Sequence, residues 1–178
     1  MTAGGVFAPV QIVGYVALVL GVAAFLQKND VRLKVLLSGE GLAYLVHFAL
    51  LGNFPASGSA GLSCVRNLVS LKSRSPWWVL VFVAANVAVG YFCAQTPVGW
   101  LPVVGSCMAT AAVFWLRGIP LRLVLLVSTV SWLINNVLSG SIGGVVLEVF
   151  IATANLSTIV RMAVRRPLPP EVEVSPAG

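Results

Sequence analysis

KVLLSGEGLAYLVHFALLGNFPASGSAGLSCVRNLVSLKSR, residues 34–74, decides the fold. It holds two mostly apolar segments of about twenty residues, the length that crosses a bilayer as a helix. Between them lies the turn Gly52-Asn53-Phe54-Pro55, which carries no charge. Both ends are basic: Lys34 follows Lys28 and Arg32, and Lys72 is followed by Arg74. Cytoplasmic loops carry an excess of Lys and Arg. This is therefore the pattern of a membrane hairpin with its ends in the cytoplasm and its tip outside.

The rest of the chain extends the same grammar. Of 178 residues, 58% are apolar and 9% are charged, with a mean hydropathy of +0.98. Soluble domains carry about 25% charged residues, so a soluble globular fold is excluded. Disorder is excluded because it needs low hydrophobicity. Seven apolar segments are predicted to span: 7–27, 34–52, 55–73, 76–94, 98–116, 121–139 and 142–163. Basic and uncharged connections alternate between them. Lys28 and Arg32, then Lys72 and Arg74, then Arg117 and Arg122, and finally Arg161, Arg165 and Arg166 mark one side. Gly52–Pro55, Gln95-Thr96-Pro97 and Ser139-Gly140-Ser141 mark the other. The expected protein is multi-pass in a bacterial inner (cytoplasmic) membrane, N-terminus periplasmic and C-terminus cytoplasmic. The net charge of +6 then reflects loop orientation, and no nucleic-acid partner is expected. Cys64, Cys93 and Cys107 are scattered in apolar runs, so neither a disulfide framework nor a metal site is expected. The N-terminus lacks a basic region, so the first apolar run reads as a retained helix. Residues 167–178, with four prolines, read as a disordered cytoplasmic tail.

The first and last three segments resemble each other. A shift of 88 residues carries Tyr44 onto Trp132, His47 onto Asn135, Gly52 onto Gly140 and Asn67 onto Asn155. The expected fold is an all-α membrane protein of seven transmembrane helices, two parallel three-helix repeats joined by a linker helix. The repeats are 7–74 and 97–166, and the linker is 75–96. Parallel repeats are one plan of transporters, with the site between them near the midplane.

Ionisable residues inside spans are costly and face a bundle interior or a water-filled cavity. Helical spacing puts Glu40, Tyr44 and His47 on one stripe, and Ser59, Ser63, Arg66 and Ser70 on another with Asn67 beside it. Ser128, Trp132, Asn135 and Ser139 form a third, and Glu148, Ala152 and Asn155 a fourth. Glu40 and Arg66 lie at matching depth and are expected to pair. Asn86, Ser106 and Thr110 read equally as hydrogen-bonding glue between helices. The stripe Gly14, Ala17, Gly21, Ala24 reads as helix packing. A lone His in a bundle is more often a satisfied structural residue than a ligand or proton carrier.

These residues carry a resemblance. His47-Phe48-Ala49-Leu50-Leu51-Gly52 with Pro55-Ala56, Arg66 and Leu71–Ser75 resembles the YgjV family of bacterial inner-membrane proteins. So do Leu101–Gly105, Trp132–Asn136, Gly140–Gly144, Glu148 and Asn155. The likeness covers nearly all of 7–166 and implies an inner-membrane location. More distantly, the 3+1+3 plan resembles the SWEET sugar transporters and the PQ-loop superfamily. That likeness implies a central site lined by an Asn on the third helix of each unit, here Asn67 and Asn155, with Tyr44 and Trp132 as second-helix counterparts. The chain departs from that pattern in lacking Pro-Gln: the first span ends Phe25-Leu26-Gln27 and the fifth Trp115-Leu116-Arg117.

The function expected is transport or facilitated passage of a small polar or anionic solute. Tyr44, Arg66, Asn67, Trp132, Asn135 and Asn155 are expected to bind it, and Glu40, His47 and Glu148 to gate or handle protons. Arg66 in low dielectric favours a carboxylate or phosphate. The alternative is a non-transporting membrane receptor or scaffold on the same fold. No catalytic residues, metal or cofactor are expected, because no nucleophile–base pair or metal cluster is visible. The lipid bilayer is the other partner, and a homo-oligomer is compatible with the sequence.

Overall fold

The computed structural model describes residues 5–27, 30–73, 75–116 and 118–164. Lys28, Arg74, Arg117, Arg165, Arg166 and the expected disordered tail 167–178 lie outside the described residues. The described chain is all-helical: α1 (Pro9–Phe25), α2 (Asp30–Leu50), α3 (Phe54–Lys72), α4 (Trp77–Cys93), α5 (Leu101–Trp115), α6 (Gly118–Leu138) and α7 (Ile142–Val164). These fall on the seven expected segments. α2 begins at Asp30, earlier than expected, so Arg32 and Lys34 belong to its first turns. A separate 3₁₀ turn, Pro97–Trp100, precedes α5. Pro102 has no N–H to give to the carbonyl of Val98, so the chain tightens there and Leu101 N–H bonds Val98 O instead.

Helix ends follow local chemistry. Prolines stand in the first turns of α1, α3 and α5, where a missing N–H costs nothing. Gly52 (φ 75°) and Gly140 (φ 68°) turn the chain after α2 and α6 through the left-handed region that favours glycine. Asn53 caps α3 by accepting from Ala56 N–H at 3.1 Å. Ser141 caps α7 by accepting from Gly144 N–H at 3.2 Å.

α6 and α7 are each long and apolar enough to cross a membrane on their own. α1 and α4, at 17 residues, and α5, at 15, are apolar but shorter. α2 and α3 have the length, but Glu40, His47, Arg66 and several serines dilute their apolar character. The exposure pattern is that of a bundle turned inside out. Gln11, His47, Ser59, Asn86, Thr110, Asn135, Asn136 and Ser141 are buried. Large apolar side chains such as Ile12, Leu42, Val65, Phe92, Val104, Ile134 and Val149 are exposed, at least one on each helix. In water that arrangement would cost hydrophobic burial everywhere, whereas lipid favours it.

Neighbour relations run α1–α2–α3–α5–α6–α7 and back to α1, with α4 packed outside against α3 and α5. Ala17, Tyr44, Phe48, Ala56, Ala60 and Leu147 form the apolar core. The small stripe on α1 does what its spacing predicts. A Cβ on Gly14 would meet the His47 ring at 2.8 Å, and one on Gly21 would meet Leu147 at 2.8 Å. Ala17 and Ala24 are fully buried.

Candidate functional site

The uncharged turns after α2, α4 and α6 share one end of the bundle with the start of α1. Here Gln11 of α1, 0% exposed, reaches the turn after α6. Its Nε2 donates to Gly140 O at 2.7 Å, and its Oε1 accepts from Ile142 N–H at 3.2 Å. Those two bonds fix the orientation of the amide. His47 of α2, also 0% exposed, ties the same place together. Its Nδ1 lies 2.8 Å from Val10 O and its Nε2 2.8 Å from Ser141 Oγ.

A related arrangement stands on the other side of the bundle. Asn53 Nδ2 donates to Asn135 Oδ1 at 2.8 Å and to Ser139 Oγ at 2.7 Å. The 88-residue shift carries the pair His47–Ser141 onto Asn135–Asn53. Here, however, a cavity of ≈ 430 Å³ remains. Its walls are the turn 51–55, the connection from α4 to α5 with Val98 and Gly99, and the last turn of α6 with Asn135 and Ser139. No charged side chain lines it. Its rim at Gly52, Thr96 and Val98 is exposed, while Asn135 is 2% exposed. Asn135 Nδ2 has no hydrogen-bond partner among the described residues.

One helical turn further in, about 5.4 Å along the axes, aromatic rings close the interior. Phe48 stacks on Tyr44 at 5.4 Å and meets Trp132 at 5.9 Å between centroids. The Tyr44 hydroxyl has no hydrogen-bond partner among the described residues. Glu40 and Glu148 lie near enough for Tyr44 to feel both charges, and Thr129 sits beside Glu148.

Residues 9–166 match the Imp-YgjV family, described as a bacterial inner membrane protein. The chain belongs to the YgjV family. It is 36% identical over 151 residues to the inner membrane protein YgjV of Escherichia coli (strain K12), covering 85% of this chain and 82% of that one. No solved structure matches the chain significantly. As a YgjV-family protein of the inner membrane, it contacts the lipid bilayer, in keeping with its exposed apolar surface.

Within this YgjV-family chain, the expected site residues do not form one cluster. Asn135 lines the cavity. Tyr44 and Trp132 belong to the aromatic closure. His47 is held by two partners at the opposite contact. The expected contact pair Glu40–Arg66 is not formed. Arg66 reaches across to α5 and donates Nη1 to Thr110 Oγ1 at 2.9 Å, and Thr110 in turn donates to Ser106 O at 2.7 Å. Glu40 acts on Arg66 only through its charge. Asn67 and Asn155 were expected to present free amides to a shared cavity. Asn155 instead donates to Arg122 O at 2.8 Å and accepts from the Arg122 guanidinium at 3.4 Å. A buried amide takes the nearest partners, and α6 supplies both. Asn67 is half-buried, and neither it nor Asn155 lines the cavity.

Sequence reasoning missed Gln11, Asn53 and Phe48, while Ser139 stood on the expected polar stripe with Asn135. Gln11 carried a signal: an amide within an apolar helix is costly unless it has partners. Asn53 carried one too, as a capping residue type directly after a turn glycine.

Proposed function

We propose that this YgjV-family chain is a seven-span transporter or facilitator of a small polar solute, not an enzyme. The units 7–74 and 97–166 act as two parallel three-helix repeats, and 75–96 acts as the linker. The N-terminus is periplasmic and the C-terminus cytoplasmic, so the cavity beside Gly99 faces the periplasm. Support for the repeat comes from packing. Exchanging α1, α2 and α3 for α5, α6 and α7 maps the α1–α2, α2–α3 and α1–α7 contacts onto α5–α6, α6–α7 and α3–α5, all of which occur.

The single observation that carries the transport reading is the uncharged cavity between the two halves, closed beneath by Tyr44, Phe48 and Trp132. A pathway entered from one side and shut in the middle suits alternating access. Glu40 and Arg66 lie beyond the closure, where rearrangement of the halves would expose them, while Glu148 lies beside Tyr44 at its level. Tyr44 and Trp132 then act as the gate, and Arg66 meets the solute only after the gate opens.

Reporters fused after Gly52 and after Arg74 test the topology: the first should read external and the second cytoplasmic, and the same side for both sinks it. Counterflow in vesicles tests transport. Trp132→Ala should change the rate at least about tenfold if the aromatic closure is the gate. Equal flux with and without protein, across polar neutral and anionic solutes, would end the transport reading.

A further inference from the structure

We propose that the cavity beside Gly99 binds the planar carboxamide of a small neutral solute, in the manner in which the opposite side of the bundle binds the side chain of Gln11. The inference rests on the transport reading for its view of the cavity as an entry site, and it names the solute class.

The chain supplies its own template. Pro9-Val10-Gln11 and Pro97-Val98-Gly99 correspond under the 88-residue shift and differ only in the third residue; the first opens α1, and the second forms the 3₁₀ turn that leads into α5. Gln11 satisfies the carbonyl of Gly140 and the N–H of Ile142 with one amide. The 88-residue shift carries these two groups onto Gly52 and Phe54. The turns are alike, with φ 68° at Gly140 and 75° at Gly52. Yet Gly52 O and Phe54 N–H have no hydrogen-bond partner among the described residues, because Gly99 has no side chain to offer them. Both residues line the cavity.

A second difference lies just behind these two groups. His47 is long enough to reach both Ser141 and Val10. Its counterpart Asn135 reaches only Asn53. The orientation of these amides is set by the network. Asn53 Oδ1 accepts from Ala56 N–H, so its Nδ2 faces Asn135, which must answer with Oδ1. Asn135 Nδ2 is then a buried donor without a partner, on a residue that lines the cavity. The lining therefore offers one acceptor, Gly52 O, and one donor, Phe54 N–H, with Asn135 Nδ2 buried behind the cavity wall. A carboxamide answers both: its NH₂ gives to Gly52 O, and its oxygen takes Phe54 N–H. A carboxylate has no proton for Gly52 O, and an ammonium has no acceptor for the N–H of Phe54. With no charged residue in the lining, either ion would also be buried uncompensated. The ≈ 430 Å³ of the cavity leaves room for a ring or short chain beyond the amide.

The test uses the full chain in nanodiscs, with nicotinamide and propionamide as probes and nicotinate, propionate and propylamine as matched controls, read by ligand-detected NMR titration. The amides should bind at least about tenfold more tightly than the acids and the amine. Phe54→Pro deletes the proposed donor at a position where proline suits a helix start, and the Phe54 side chain is 61% exposed. Phe54→Ala keeps that N–H. Amide binding should be about tenfold weaker in Phe54→Pro than in Phe54→Ala. Gly99→Gln should abolish amide binding by supplying the chain's own carboxamide; its Cβ would sit 3.1 Å from that of Ala94, a neighbour that must yield slightly. Equal affinity for amide and acid, or for the two Phe54 variants, overturns the inference. Amide binding without flux in vesicles overturns the transport reading and leaves this inference standing. Flux of another solute class with no amide binding does the reverse.

Discussion

Around Gly140, Gln11 and His47 fill the space between α1 and α7. Around Gly52, the corresponding positions are Gly99 and Asn135, and a cavity remains. The backbone is nearly the same in both places, with a left-handed glycine followed by a capping residue. Two shortened side chains change what the backbone is free to do. On the filled side the polar groups at the start of α7 are spent inside the protein and hold three helices together. On the open side the equivalent groups at the start of α3 stay available. Two turns alike in backbone can thus differ in whether side chains fill the space beside them. The close approach of α1 and α7 belongs to the filled side as well: a Cβ on Gly143 would lie 2.6 Å from Gly14 O. The shift carries Gly143 onto Pro55, so the open side already carries a bulkier residue there.

The largest expected effect breaks the filled side outright. Gly143→Ala pushes a methyl into the α1 backbone and should cost about 4 kcal/mol, seen as loss of a monodisperse peak in detergent. Pro55→Ala at the equivalent position should leave that peak intact. Next comes the histidine contrast. His47→Ala strands Val10 O and Ser141 Oγ and opens a hole, costing about 3 kcal/mol. Asn135→Ala, already half-unpartnered, should cost about 1 kcal/mol. Thermal unfolding of the two variants in one detergent gives the order, and the reverse order would break the comparison. Gln11→Gly should cost about 2 kcal/mol by turning the filled side into a second open one. Added propionamide should then raise its melting temperature more than that of the unmodified chain. The smallest effect comes from closing the open side. Asn135→His should shift stability by no more than about 0.5 kcal/mol while weakening amide binding.

Much of the fold was legible in the residues. The seven helices fall where hydropathy and the Pro, Gly and basic punctuation put them, because each apolar segment satisfies its own backbone hydrogen bonds and declares its length locally. The stripe of small residues on α1 was equally readable. The site was only partly so. Asn135 was expected to bind solute, and it lines the cavity. Asn155 was expected to do likewise, and it is tied to Arg122. Both are buried amides on helix faces, and helical spacing gives the face but not the partner. Arg66 teaches the same point. Glu40 matched it in depth, but a long flexible side chain has several neighbours within reach, and Thr110 on α5 is the one it bonds.

By itself the sequence determined membrane residence and the helices. Those follow from composition and periodicity, properties that each segment carries whatever its neighbours do. Only the tertiary structure decided which of two equivalent turns is filled and which is open. That depends on whether a side chain beginning on α1, or in the 3₁₀ turn before α5, is long enough to reach a backbone more than a hundred residues away or, across the α5–α3 side, some forty-five residues back. The difference between Gln11 and Gly99 looks minor along the chain. It becomes a cavity only when the helices bring Gly52, Phe54 and Asn135 around it.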